Sequence, residues 1–190
     1  SDMGVEIIVV DGGSTDRTKE IVKESGARLM SAPPGRAVQQ NIGAVSASCA
    51  NLLFLHADTL LPHGFLNDIF EIFMDEERKA GAFRLRTDSK SPFMRIVEAT
   101  VNFRSKVFSL PYGDQGIFIR KEIFHSIGGF PALPVAEDLM FKKELKPFAL
   151  KFTVASTILI NGFLESVLNL KAPAFMSSSM KISKISLRYP

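Results

Sequence analysis

The chain has 190 residues, is 46% apolar and carries a net charge of +3 at pH 7, which suits one domain with a sizeable core and is too short for two. Cys49 is the only cysteine; a disulfide framework is excluded, the thiol reads as a packed small side chain, and a reducing, cytoplasmic compartment is expected. No charged-then-apolar signal segment opens the sequence and no apolar run reaches the roughly 18 residues of a membrane span, so a soluble or membrane-peripheral protein is expected.

In chain order, the apolar run Val5-Glu6-Ile7-Ile8-Val9-Val10 is a strand that ends in Asp11. The turn Gly12-Gly13-Ser14-Thr15 follows, then a helix over 16–25 closed by Gly26, and a strand over 27–32. Pro33-Pro34-Gly35 breaks the chain, and 36–48 has the Ala-rich character of a helix packed on a sheet. Residues 52–57 form a second apolar strand, and this one runs into Asp58. A buried strand delivers its last residue to the sheet rim with little freedom, so two acid-tipped strands suggest a polar ligand bridging their ends.

Phe65, Ile69, Phe70 and Phe73 recur at helical spacing within 61–79 and read as core. Residues 82–86 alternate like a strand, 92–108 is a second amphipathic stretch, and 117–119 is a strand reached through Gly113-Asp114-Gln115-Gly116. Glu137-Asp138 opens a helix over 139–146. Strand-like and helix-like runs thus alternate, which predicts an α/β fold on a mostly parallel sheet flanked by helices. Between 142 and 190 there are eight Lys/Arg against Glu144 and Glu165. This basic tail could meet an anionic membrane surface or an acidic ligand, although solvated lysines are the more frequent explanation; nucleic acid is not expected, because no aromatics interleave the basic residues.

Singly, each polar feature has a plain alternative. Gly12, Gly13 and Ser14 offer backbone N–H groups to a phosphate, or simply turn the chain. Arg36 starts a helix where a phosphate could sit, or is a surface charge. Asp114 and Gln115 are presented between two glycines, or occupy a tight turn. Glu137 and Asp138 are catalytic acids, or an ordinary acidic helix start.

Taken in order, Val10–Asp16 (Val-Asp-Gly-Gly-Ser-Thr-Asp), His56-Ala57-Asp58-Thr59, Pro111-Tyr112-Gly113-Asp114-Gln115-Gly116, Gly128-Gly129-Phe130-Pro131 and Glu137-Asp138 resemble the family 2 glycosyltransferases, nucleotide-diphospho-sugar transferases of GT-A-like, Rossmann-like fold. The resemblance spans nearly the whole chain. It implies transfer of a sugar from a nucleotide-diphosphate sugar, a UDP-sugar first, to an acceptor hydroxyl with inversion. Asp11 would meet the nucleotide base, with Gly12, Gly13 and Ser14 beside it, and Arg36 the base or phosphates. Asp58 would hold a divalent cofactor, Mn²⁺ or Mg²⁺, with His56 replacing the first acid of the family's Asp-x-Asp motif. Asp138 would be the catalytic base supported by Glu137, and Asp114 and Gln115 would line the donor-sugar or acceptor side with His56.

On this reading 1–190 is one transferase domain: 1–60 binds nucleotide, 61–146 carries acceptor and catalytic groups, and 147–190 is a basic, amphipathic tail. Relatives begin one strand and one helix earlier, so a central first strand is expected to be missing. Relatives also carry a basic and aromatic cluster near 155–163, where this chain is apolar. A degenerate transferase that binds a nucleotide or sugar without turnover is the alternative, as is a peripheral scaffold using 163–180 as its platform.

Overall fold

The computed structural model describes residues 5–56, 59–108, 115–131, 152–160, 180–181 and 185–187. The expected helix at 139–146 lies outside them, as does the expected platform at 163–180 apart from Met180. The elements are β1 (Val5–Asp11), α1 (Thr18–Glu24), β2 (Arg28–Ser31), α2 (Arg36–Ser46), β3 (Asn51–Phe54), β4 (Thr59–Leu60), α3 (Phe65–Met74), β5 (Ala80–Thr87), α4 (Pro92–Phe108), β6 (Ile117–Arg120), α5 (Lys121–Ser126), β7 (Phe152–Ile160), β8 (Met180–Lys181) and β9 (Ile185–Leu187). The fold is α/β, as the alternation of patterns predicts.

One sheet runs in the order β2-β1-β9-β3-β6-β5-β7-β4, with β8 also against β1. It is mixed. Parallel pairs are β1 with β2 and β5 with β7, while β1, β5 and β7 each also have an antiparallel neighbour and both neighbours of β3 are antiparallel. The central place between β1 and β3 is held by β9, whose three residues pair antiparallel with Val5–Ile7 on one side and Asn51–Leu53 on the other. Being antiparallel to a common neighbour, β1 and β3 run parallel to each other. Their C-terminal ends therefore reach the same edge of the sheet.

The continuous apolar run of β3 is explained by burial on both faces. Leu52 and Phe54 point into a cluster with Ile8, Val10, Ile117 and Ile119 beneath α2, whose Ala37 and Ala44 allow close approach. Leu53 and Leu55 point the other way, against Phe83, Phe118 and the α3 residues Ile69, Ile72 and Phe73. Of the α3 stripe, Ile69 and Phe73 are core and Phe65 packs against them, as the spacing predicts, while Phe70 is half-buried and stands outside the cluster. Cys49 is buried.

β5 outruns its neighbour. β6 pairs only with Ala80–Ala82, and beyond that point side chains take over the ladder. Gln115 Nε2 donates to Phe83 O at 3.2 Å; Asn102 accepts from Leu85 N and donates to Leu85 O, both at 2.8 Å; Glu98 accepts from Thr87 N at 2.6 Å. Residues 83, 85 and 87 direct their backbone groups to the same side. Glu98, Asn102 and Ser105, spaced one turn apart along α4, meet that edge or, for Ser105, hold Gln115 at 2.6 Å.

Candidate functional site

The site is assembled at the edge where β1 and β3 end. Asp11 closes β1 and is 1% exposed. Its carboxylate accepts the Ser14 N–H at 3.0 Å and the Gly13 N–H at 3.2 Å, with the Lys19 ammonium at 3.4 Å. Burial opposes ionisation of Asp11, but the hydrogen bonds from Ser14 and Gly13 and the Lys19 contact outweigh it, so the pKa lies below the ordinary carboxylate value. An anionic acid thus shapes the turn and is itself shielded by it.

Both turn glycines are constrained, for different reasons. Gly13 has φ 106°, a conformation that side chains other than glycine's rarely adopt. At Gly12 an added Cβ would lie 2.9 Å from Nε2 of Gln39. Gln39 is the bracket between strand and helix: it donates to Val10 O at 2.9 Å and accepts from Gly35 N at 3.3 Å. Asp16, one residue ahead of the N-cap Arg17 of α1, accepts the Thr18 N–H at 3.1 Å.

Arg36 is the first residue of α2, and its guanidinium reaches His56, just past the end of β3, with Nη2 2.8 Å from Nε2. Nδ1 of the same ring lies 3.2 Å from that Nη2; a guanidinium can only donate, so the unprotonated ring nitrogen is the acceptor. A cation is therefore held at the rim between the two strand ends.

Asn41, one turn further along α2, accepts the Phe130 N–H at 2.9 Å and donates to Phe130 O at 2.8 Å. The Phe130 ring packs on Phe54 and Phe124, with centroids 4.9 and 5.3 Å away. The chain that leads toward Glu137 and Asp138 is thereby anchored to the helix that carries Arg36.

Asp11, Gly12, Gly13, Ser14, Arg36 and His56 all fall on this edge. Gln115 is fully buried and engaged by Ser105 and the Phe83 carbonyl, so its side chain fixes the start of β6 against β5 and α4. Asp58, Asp114, Glu137 and Asp138 lie outside the described residues. Among the described residues no three His, Cys, Asp or Glu side chains form a metal cluster, and the His56 ring faces the Arg36 guanidinium. Sequence patterns missed Gln39 and Asn41. Their signal is a run of amides, Gln39-Gln40-Asn41, in a helix whose other buried residues are Ala and Gly.

No helix among the described residues is long and apolar enough to cross a membrane. No curated protein matches the chain by sequence. Solved structures share the fold. Glucosyl-3-phosphoglycerate synthase from Mycobacterium tuberculosis, in complex with Mn²⁺, UDP and glucosyl-3-phosphoglycerate, matches with a TM-score of 0.58 and 20% identity over 82% of this chain and 59% of that one. S. aureus TarS matches with a TM-score of 0.64 and 19% identity over 85% and 32%. The mannosyltransferase PcManGT from Pyrobaculum calidifontis, in complex with GDP-Man and Mn²⁺, matches with a TM-score of 0.60 and 21% identity over 80% and 47%. The chain thus spans between about a third and three fifths of the length of these proteins. The model of glycosyl transferase family 2 matches residues 1–133, more than half of the sequence, and the chain belongs to that family.

Proposed function

We propose that this protein transfers a sugar from a nucleotide-diphosphate sugar, with a UDP-sugar the first candidate, to an acceptor hydroxyl, inverting the anomeric centre. The observation that carries the reading is the convergence of the Asp11-tied glycine turn and the Arg36–His56 pair on one sheet edge. Open α/β sheets bind ligands at such an edge. The M. tuberculosis synthase with UDP and Mn²⁺ and PcManGT with GDP-Man and Mn²⁺ support the same ligand class.

Asp11 serves the nucleotide through the turn of Gly12, Gly13 and Ser14, and a base that contacts its carboxylate directly must reach a side chain that the turn buries. Arg36 offsets phosphate charge from the start of α2, with His56 orienting its guanidinium toward the donor. Asp114 lines the donor-sugar or acceptor side, held in place by Gln115. Asp138 takes the acceptor hydroxyl proton as that oxygen attacks the anomeric carbon and the bond to the diphosphate breaks; Glu137 supports it. The electron pair leaves with the nucleoside diphosphate, and no covalent enzyme intermediate forms. A divalent ion, when bound, would supply electrostatic stabilisation of the departing diphosphate, and Asp58 would hold it together with oxygens of the donor. Residues 1–60 are on this reading the nucleotide-binding part, 61–146 the acceptor and catalytic part, and 147–190 a basic tail.

Calorimetric titration with UDP, UDP-glucose and GDP-mannose, with and without Mn²⁺, followed by product detection over a panel of hydroxyl acceptors, tests the proposal. Binding strengthened by Mn²⁺ together with transfer supports it. Failure of every nucleotide to bind would overturn it, and binding without transfer would favour a nucleotide-holding module.

A further inference from the structure

α4 is an amphipathic helix turned inside out. Its polar residues Glu98 and Asn102 are spent inward on the open edge of β5, and Ser105 on Gln115. Glu98 is also paired with Arg95, which reaches the carbonyls of Thr87 and Ser89. Apolar residues are left facing out: Phe93 is 69% exposed, Ile96 64% and Phe103 62%. At about 100° per residue these three fall within roughly 80° of arc, opposite the buried Met94, Glu98 and Ser105.

The segment that carries this stripe is predominantly basic. Residues 82–108 hold six Lys/Arg against Asp88 and Glu98, and Glu98 is buried in its ion pair. Arg84, Arg86 and Lys90 are exposed. A symmetric pairing of two copies through this face would set one basic patch against the other. An anionic lipid surface attracts it, and such a surface takes a helix with an aromatic and aliphatic stripe lying in its plane.

We propose that α4 docks the protein on an anionic membrane surface, with Phe93, Ile96 and Phe103 entering the headgroup boundary and the basic residues meeting lipid phosphates. The site is separate from the basic tail and independent of the transferase reading. Its test needs no nucleotide. The chain has no tryptophan, so Phe93→Trp places a single fluorophore in the stripe. The full chain should cosediment with phosphatidylcholine–phosphatidylglycerol vesicles and hardly with phosphatidylcholine alone, and Trp emission should shift to the blue only with the former. The double variant Phe93→Ser/Ile96→Ser should lose more than about tenfold in vesicle affinity, from the two apolar side chains removed, with its thermal unfolding midpoint unchanged. The proposal is overturned by absent vesicle binding, by binding that survives the double variant, as a tail-borne attachment would, or by an unshifted Trp. A lowered unfolding midpoint would mean that the protein's own chain covers the stripe, and a concentration-dependent dimer dispersed by the variant would assign the face to a second copy; either result also overturns it.

Discussion

Asn41 and Phe130, 89 residues apart, exchange two hydrogen bonds as two paired strand residues do, with the amide side chain standing in for a second backbone. Because Phe130 is buried, removing the amide takes both of these hydrogen bonds from its backbone N–H and C=O. Asn41→Ala should therefore cost about 2–4 kcal/mol of stability, read as a lower urea midpoint with an unchanged slope. On the proposed mechanism it should also slow transfer more than it weakens donor binding, since the anchored chain leads toward Asp138.

At the glycine turn two substitutions should fail differently. Gly13→Ala forces a positive φ on alanine and should cost about 1–3 kcal/mol with Gln39 undisturbed. Gly12→Ala meets the Gln39 amide, and the double change Gly12→Ala/Gln39→Ala should recover part of the loss by opening space. A double-mutant cycle on thermal stability measures the coupling, and additive losses would show that Gln39 is not the obstacle.

For the cation at the rim, Arg36→Ala should weaken UDP binding by about 1–3 kcal/mol, the range for hydrogen bonds to charged groups. Arg36→Lys should recover little, because an ammonium cannot hold His56 and a phosphate in one plane. Calorimetry decides, and unchanged affinity in both variants would remove Arg36 from the nucleotide site.

Asp138→Asn should leave nucleotide and metal binding nearly intact while lowering transfer by roughly 10²-fold or more, as expected of a general base. Equal single-turnover rates in variant and wild type would exclude it.

Acid should destabilise the fold through three carboxylates. In Asp11, Glu6 and Glu98 burial opposes ionisation and is outweighed: by Ser14, Gly13 and Lys19 at Asp11, by Ser48 and Arg28 at Glu6, and by Thr87 and Arg95 at Glu98. A folded pKa below the unfolded one gives stability that is complete above the unfolded value and is lost as pH falls through the folded one. Stability should thus begin to drop near about pH 4 to 4.5 and continue to fall below it. Glu98→Gln should be less stable at pH 7 and flatter through the acid limb. Urea midpoints from pH 3 to 7 report both, and parallel curves would show that Glu98 does not titrate with folding.

The amino-acid sequence by itself determined the α/β class, the strand that ends at Asp11, helices over the Arg36, Phe65 and Pro92 segments, and the core role of Ile69 and Phe73 in α3. These follow from local apolar periodicity and turn chemistry, which act within a few residues. Tertiary structure alone decided that Ile185–Leu187 lies between β1 and β3, that Gln39 and Asn41 are brackets, that Gln115 is buried, and that α4 turns its polar side inward. In each case the partner is a backbone group far away along the chain. Which buried N–H or C=O is left without a strand neighbour depends on sheet order and register, and no local pattern encodes that vacancy or the side chain that fills it.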